Sequence, residues 1–313
     1  MSATFLVVPE WQGSGSSRAM QLIDGADAIA GDLPSSVTTR LEIPLGAGES
    51  LGTGVARVSA LRSIRDSVTR ALRDSAVIAD AAAAAAAAAR DELGDEAAVA
   101  DPAAPDIVVT IGGDCGVELA PVAEAVRAHP GVAVVWLDAH ADLMRPAESG
   151  ASAFSGMVLR TLLGDGPDLL VPEFDQTVSP GRLVLAGVRS IDDDEQAYIE
   201  ASSIREVSVD ALQQSEELTR GDALVEAIAA TGATSVYLHV DLDVLDPAEI
   251  AGVSYPEPFG LSVAALVENI MAVRQRFTLV GAGITQFAPA SPDAASDDLS
   301  AVLRVISALT RAL

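Results

Sequence analysis

The sequence has no lysine and very little cysteine or histidine. Its 313 residues include one cysteine, three histidines and 19 basic residues, all of them arginine. Because Cys115 has no second cysteine to pair with, an intrachain disulfide is excluded. The 45 acidic residues give a formal net charge of −26, and such a surface repels nucleic acid and anionic membranes. We therefore expect neither as a partner.

Long apolar runs are also missing, and we expect no secretory leader. The opening residues, MSATFLVVPEW, lack the basic segment and the long apolar segment of a signal peptide. No apolar run reaches the roughly 20 residues that a membrane helix requires. Half of the residues are nevertheless hydrophobic, which suffices for a sizeable core. These features predict a soluble cytoplasmic protein.

Short strand-like runs alternate with helical segments along most of the chain. The predicted strands are 3–10, 41–46, 106–113, 132–142, 183–190, 203–209, 235–243 and 279–287. The predicted helices are 55–90, 117–128, 157–164, 221–231, 262–277 and 296–312, with an acidic surface loop over 91–106. This alternation predicts an α/β fold with a doubly wound, mostly parallel sheet. No internal repeat or linker interrupts it, so residues 1–313 are expected to form a single domain.

Two of the predicted strands run directly into polar triplets. The triplets are Asp138, His140 and Asp142, and His239, Asp241 and Asp243. Alternate residues of a strand share a face, so each triplet would converge if its strand continues that far. Open α/β sheets bind ligands at the carboxyl ends of their strands, which is where both triplets stand.

Four carboxylates in one cleft would repel each other, which shifts their pKa values upward. A divalent cation offsets that repulsion, and oxygen donors with some imidazole suit Mn²⁺, with Mg²⁺, Fe²⁺ or Zn²⁺ as alternatives. A lone aspartate at a strand end is more often a turn or cap residue. Two such clusters in one chain of this architecture therefore predict a metal site.

Five segments resemble the ureohydrolase family, which includes arginase, agmatinase and formiminoglutamase. They are IGGDCG (111–116), DAHAD (138–142), GVRSIDDDE (187–195), HVDLDVLDP (239–247) and YPEPFGLS (255–262). The resemblance implies a three-layer α/β/α fold with two Mn²⁺ ions per chain. It also implies hydrolysis of a small guanidino or amidino substrate and a homo-oligomer, either trimer or hexamer.

The same resemblance assigns roles to individual residues. It makes Asp138 and Asp241 bridge the two metals. The remaining ligands it implies are Asp142 with position 115 for one metal, and His140 with Asp243 for the other. Asp192 and Glu195 lie in the family's substrate-contacting loop.

Three positions depart from the family pattern. Cys115 replaces the histidine of the GGDH motif, and a thiolate favours Zn²⁺ or Fe²⁺ over Mn²⁺; the alternative is a small buried hydrophobe without a ligand role. Ser155 stands where the family has a proton-shuttling histidine. Gln286 stands where a glutamate pairs with the guanidinium, and the change removes a charge-assisted hydrogen bond.

The candidate catalytic residues are therefore His239, Asp142, Gln286 and Ser155. His239 is a substitute proton carrier, a group that orients a metal ligand, or a core histidine bonded to a backbone carbonyl. The predicted activity is binuclear metal-dependent hydrolysis of a linear guanidino or amidino C–N bond. A substrate that depends less on full positive charge, such as an N-substituted guanidine or a formimino group, suits Gln286. The alternatives are a non-catalytic family member with a binding or regulatory role, and a two-metal hydrolase of another small molecule.

Overall fold

Eight strands form one sheet in which every neighbouring pair is parallel. The computed structural model describes residues 3–93, 107–146, 153–213 and 221–313. The strands are β1 Ala3–Val8, β2 Thr38–Arg40, β3 Ile107–Gly112, β4 Ala133–Leu137, β5 Leu183–Ala186, β6 Arg205–Val207, β7 Ser235–Asp241 and β8 Thr278–Thr285. Their order across the sheet is β2-β1-β3-β8-β7-β4-β5-β6, which confirms the doubly wound parallel topology.

Helices cover both faces of this sheet. They are α1 Gln21–Asp32, α2 Val58–Leu93, α3 Leu119–Ala128, α4 Val158–Leu162, α5 Asp193–Ala201, α6 Val209–Gln213, α7 Asp222–Ala229, α8 Val263–Arg276 and α9 Ala295–Thr310. Among the described residues, none of these helices combines the length and apolarity needed to span a bilayer.

The three layers follow from the alternation of side chains along the strands. In β4, Val135 and Leu137 belong to the hydrophobic cluster shared with α1, α7, α8 and α9. Val134 and Trp136 point the other way, into the cluster shared with α2, α3, α4 and α5. Both faces of the central strands are therefore buried, which explains why their sequences are apolar without interruption.

The second strand was predicted at 41–46, and this prediction was wrong. β2 pairs with β1 over Thr38–Arg40. The amide of Leu41 still donates to the carbonyl of Val7, at 2.8 Å, before the chain leaves the edge of the sheet. Pro44 has no amide hydrogen to continue that ladder. Helices α1, α5 and α6 were not predicted, and most of the predicted 91–106 loop lies outside the described residues.

Two glycines of α1 differ in their surroundings and give a test of this packing. A Cβ at Gly25 would overlap the carbonyl oxygen of Phe287, whereas a Cβ at Gly31 meets nothing within 4 Å. Gly25→Ala is expected to lower the free energy of unfolding by about 1–3 kcal/mol because the backbone must shift. Gly31→Ala should raise it by up to roughly 0.5–1 kcal/mol through helix propensity. Urea unfolding of both variants measures the contrast, and equal changes would contradict the described contact.

Candidate metal centre

The polar triplets meet at the carboxyl edge of the two neighbouring strands β4 and β7. The register pairs Leu137 with Val240, so the residues that follow, Asp138 and Asp241, stand side by side. β4 ends at Leu137 and β7 at Asp241, so Asp142 and Asp243 lie in loops beyond the strands. Whether the side chains of the two triplets converge therefore depends on the conformation of these loops, as well as on strand alternation.

A cavity of about 460 Å³ opens above these residues. The predicted site residues in its wall are Cys115, His140, Asp142, Ser155, Asp192, Glu195, Asp241, Asp243 and Gln286. Asp138 and His239 are absent from that wall and are fully buried. The candidate site thus has an accessible layer of donors with two further side chains behind it.

The donor atoms form two groups that share Asp138. The first contains Cys115, Asp138, His239 and Asp241, with one donor atom of each lying within 4.8 Å of the others. The second contains Asp138, His140 and Asp243 under the same criterion. Asp142 belongs to neither group among the described residues, although it lines the cavity beside them.

Hydrogen bonds within the two loops hold these carboxylates in place. Asp138 accepts from the amide of His140 at 2.7 Å, and Asp241 accepts from the amide of Asp243 at 2.8 Å. Asp243 in turn accepts from the amide of Ala139 at 3.1 Å, which joins the two loops. An aspartate that closes its own turn is ordinary turn chemistry. Here the same aspartates also present oxygens to the shared centre.

Strained backbone is found in the cavity wall. Asp142 has φ +53° and Gln286 has φ +67°, which is the left-handed region that side-chain-bearing residues rarely adopt. Holding a residue there costs about 1–3 kcal/mol, and such strain concentrates at functional sites. The buried Oδ2 of Asp142 and the Oε1 of Gln286 also have no hydrogen-bond partner among the described residues. Both side chains are therefore available to a bound ligand.

The raised pKa values of several acidic groups in the site favour the binding of a cation. Burial, with repulsion from Asp138, raises the pKa of Asp243 to about 6. Burial and neighbouring carboxylates raise the pKa of Asp241 and of Asp142 well above the usual range. Burial likewise raises the pKa of the Cys115 thiol. Each of these groups would ionise more readily beside a divalent cation, so the donors fit a metal.

Each of the two imidazoles lies near one carboxylate oxygen of Asp138. Burial opposes ionisation of Asp138, yet the neighbouring His140 and His239 hold its pKa below its usual range. His140 is partly buried, which lowers its pKa, but Asp138 and Asp243 prevail and raise the pKa to about 12. The His140 Nδ1 lies 3.1 Å from Asp243 Oδ2 and 3.5 Å from Asp138 Oδ1. Proton and metal would compete for this nitrogen.

A family model now gives these observations a context: the arginase family matches residues 48–310. The chain belongs to the arginase family. Its sequence is 29% identical to arginase of Staphylococcus aureus (strain COL) over 154 residues, which are 49% of this chain and 51% of that protein. It is 30% identical to Entamoeba histolytica arginase over 163 residues, 50% of this chain and 54% of that one. The chain thus spans about half the length of the curated relatives it matches.

Solved structures share the fold over nearly the whole chain. Arginase from Bacillus caldovelox superposes with a TM-score of 0.76 at 20% identity, covering 100% of this chain and 99% of that one. Formimidoylglutamase from Bacillus subtilis superposes with a TM-score of 0.67 at 16% identity, covering 98% and 87%. The predicted family resemblance and the three-layer α/β/α fold are both confirmed.

Within this arginase-family fold, Asp192 and Glu195 stabilise the backbone around the site. The two side chains form a reciprocal cap at the start of α5. Glu195 also accepts from the amide of Leu143 at 2.9 Å, so it braces the loop that carries Asp142. Their contact with a substrate stays a prediction, and the carboxylate of Glu195 already has backbone partners.

The sequence interpretation missed several residues that support the site. Behind His239, Tyr237 donates to Glu118 at 2.7 Å, and burial raises the pKa of Glu118 to about 8. Arg189 donates to the carbonyls of Asp243 at 2.7 Å and Glu257 at 2.9 Å. It thereby ties two of the family segments together. Tyr237 precedes His239 by two residues, so strand alternation was a signal for it; nothing in the sequence indicated the targets of Arg189.

Proposed function

We propose that this chain is a metal-dependent hydrolase of linear guanidino or amidino C–N bonds that uses two divalent cations. The observation that carries the proposal is the pair of donor groups sharing Asp138 at the base of a cavity. When bound, two neighbouring cations lower the pKa of a water molecule and orient it toward an electrophilic carbon. The names of the relatives, arginase and formimidoylglutamase, agree with this class of bond.

The residues above the metal donors suggest how a substrate would be held. The unpartnered Oε1 of Gln286 accepts a hydrogen bond from a substrate N–H without adding a negative charge. Ser155, whose amide donates to the carbonyl of Gly13 at 3.0 Å, presents a hydroxyl to the same cavity. Met144, Ile191 and Tyr255 supply an apolar wall. This lining suits a formimino compound, or a guanidine whose substituent lowers its basicity, better than a fully charged guanidinium such as that of arginine.

The first function test is hydrolysis by metal-loaded protein. Purified chain would be stripped with chelator, reloaded with Mn²⁺ or Zn²⁺, and incubated with a panel of guanidino, N-alkylguanidino and formimino compounds. We expect urea, ammonia or formamide release that requires the metal and favours the formimino members over the charged guanidines. Colorimetric and mass-spectrometric product assays measure it, with chelated protein as the control.

The alternative hypothesis is a family member with a binding or regulatory role, and it predicts no hydrolysis. In that case the metal-loaded protein binds one member of the panel by calorimetry but releases no product from any of them. That outcome would overturn the hydrolase proposal. The cytoplasmic location, the homo-oligomer and the single-domain organisation stay predictions beside it.

A further inference from the structure

His239 is a buried histidine whose ring has no described hydrogen-bond partner within 3.5 Å. Its relative exposure is 0%, and neither Nδ1 nor Nε2 forms a hydrogen bond to the part of the chain that the structure describes. The ring stacks on Trp136 with centroids 3.6 Å apart and planes at 20°, which sets its orientation. Buried polar atoms are normally bonded, because leaving one unsatisfied costs about 1–3 kcal/mol. Because stacking sets the orientation of this imidazole and its nitrogens are not hydrogen-bonded, a nitrogen of the ring is available to bind a ligand.

Two carboxylates lie near that ring, just beyond hydrogen-bond distance. Nε2 lies 3.7 Å from Asp138 Oδ2, and Nδ1 lies 4.0 Å from Glu118 Oε2. Donors around one tetrahedral zinc stand roughly 3.2–3.8 Å apart, given bonds of about 2.0–2.3 Å. The separation of His239 and Asp138 is thus the separation of two ligands of one ion. Cys115 and Asp241 complete that group of four.

Side chains around this group orient the donors. Trp136 Nε1 donates to Asp138 Oδ2 at 3.0 Å, and Thr285 donates to Asp241 Oδ2 at 3.4 Å. The Gln286 amide donates to the Cys115 sulfur at 3.4 Å. Outer contacts of this kind are typical of metal sites, where they set the direction of each ligand. Cys115 and Asp241 also line the cavity, which gives an ion a route to the buried pair.

We infer that His239 supplies the imidazole that Cys115 does not, so that this centre is asymmetric. Cys115, His239, Asp138 and Asp241 form a sulfur–nitrogen–oxygen site suited to Zn²⁺. The group of Asp138, His140 and Asp243 has no sulfur and suits Mn²⁺ or Mg²⁺. The inference rests on the metal centre of the proposed function and deepens it: the two positions select different metals.

X-ray absorption at the zinc edge tests this on the wild-type chain. Protein loaded with one equivalent of Zn²⁺ is expected to show one sulfur at about 2.3 Å and nitrogen or oxygen near 2.0 Å. A shell of oxygen and nitrogen alone would overturn the inference. Because no variant is needed, this measurement decides whether Cys115 binds the zinc even if His239 proves essential for folding.

Two variants then assign the nitrogen. His239→Phe keeps a ring against Trp136 and removes both nitrogens, and we expect it to weaken Zn²⁺ binding by about 10²-fold or more. The other ion should remain, since its donors are untouched. His129→Phe, at a histidine outside both donor groups, is the matched control and should bind Zn²⁺ like the wild type. A folded His239→Phe variant with unchanged zinc affinity would remove His239 from the site.

The outcome separates this inference from the proposed function. Sulfur-bound zinc without turnover of any guanidino or formimino compound would overturn the hydrolase and leave the asymmetric centre standing. Turnover by protein that holds two Mn²⁺ ions, with no sulfur ligation of Zn²⁺, would support the hydrolase and overturn the asymmetric centre.

Discussion

Asp138→Asn is expected to empty the metal centre, reducing bound metal from about two ions per chain to well under one, because both donor groups depend on this carboxylate. Asparagine keeps the size and the turn hydrogen bond to the His140 amide but loses the charge. Hydrolase activity should disappear with the metal. Plasma emission spectroscopy on protein dialysed against metal-free buffer measures the ions, and circular dichroism confirms that the variant is folded.

Neighbouring aspartates provide the matched comparisons. Asp243→Asn should lose the ion of the second group and keep the first, since Asp243 belongs to one group. Asp241→Asn tests the bridging role that the family resemblance implies: loss of both ions supports it, and loss of one restricts Asp241 to the Cys115 group. Asp192→Asn lies in the same cavity outside both groups and should retain both ions. Wild-type metal content in Asp138→Asn would refute the shared-ligand assignment.

Replacing Ser155 and Gln286 by the residues that the family resemblance implies is expected to raise the hydrolysis of charged guanidines. Ser155→His adds a proton carrier, which typically contributes about 10²–10⁴ in rate. Gln286→Glu adds a carboxylate to hold the cation. We expect the wild type to hydrolyse free arginine and agmatine weakly or not at all, and the double variant to do so at least about 10²-fold faster. Initial rates of urea release measure the change.

The two substitutions should not act independently, because both would stabilise one transition state. The product of the rate increases in the two single variants is therefore expected to differ from the rate increase in the double variant. Ser190→His, which places an imidazole elsewhere in the same cavity wall, should give no comparable gain. Fast arginine hydrolysis by the wild type would show that Ser155 and Gln286 do not limit the reaction.

The location of the site was predictable from sequence for a simple physical reason. A strand covered on both faces must be apolar, so the abrupt change to Asp138 after Leu137, and to Asp241 near the end of β7, marks the edge of the sheet. In parallel strands these edges coincide, which brings the two motifs together without knowledge of any loop. The second strand could not be placed as well, because Thr38–Arg40 is a short edge strand that is mostly exposed.

Alternation along a strand could not predict the grouping of the donors. β4 stops at Leu137, so the position of Asp142 follows from a left-handed backbone turn rather than from a two-residue repeat. Glu195 resembled a substrate ligand in the sequence, yet its carboxylate accepts backbone amides from Leu143 and Asp192. Such bonds depend on which loop lies opposite, and that is a property of the assembled fold.

By itself, the sequence determined the parallel α/β architecture, the family and the kinds of donor at the strand ends, since these follow from local hydrophobicity and from motifs of adjacent residues. Only the tertiary structure decided that His239 lies under Trp136, beside Cys115 and Asp138, with its nitrogens unbonded. Cys115 and His239 are far apart along the chain, and their distance is set by the packing of β3 and β7 around β8. Contacts across a sheet of this kind form only when every strand is in register. The difference between the two groups of metal donors therefore depends on the complete fold.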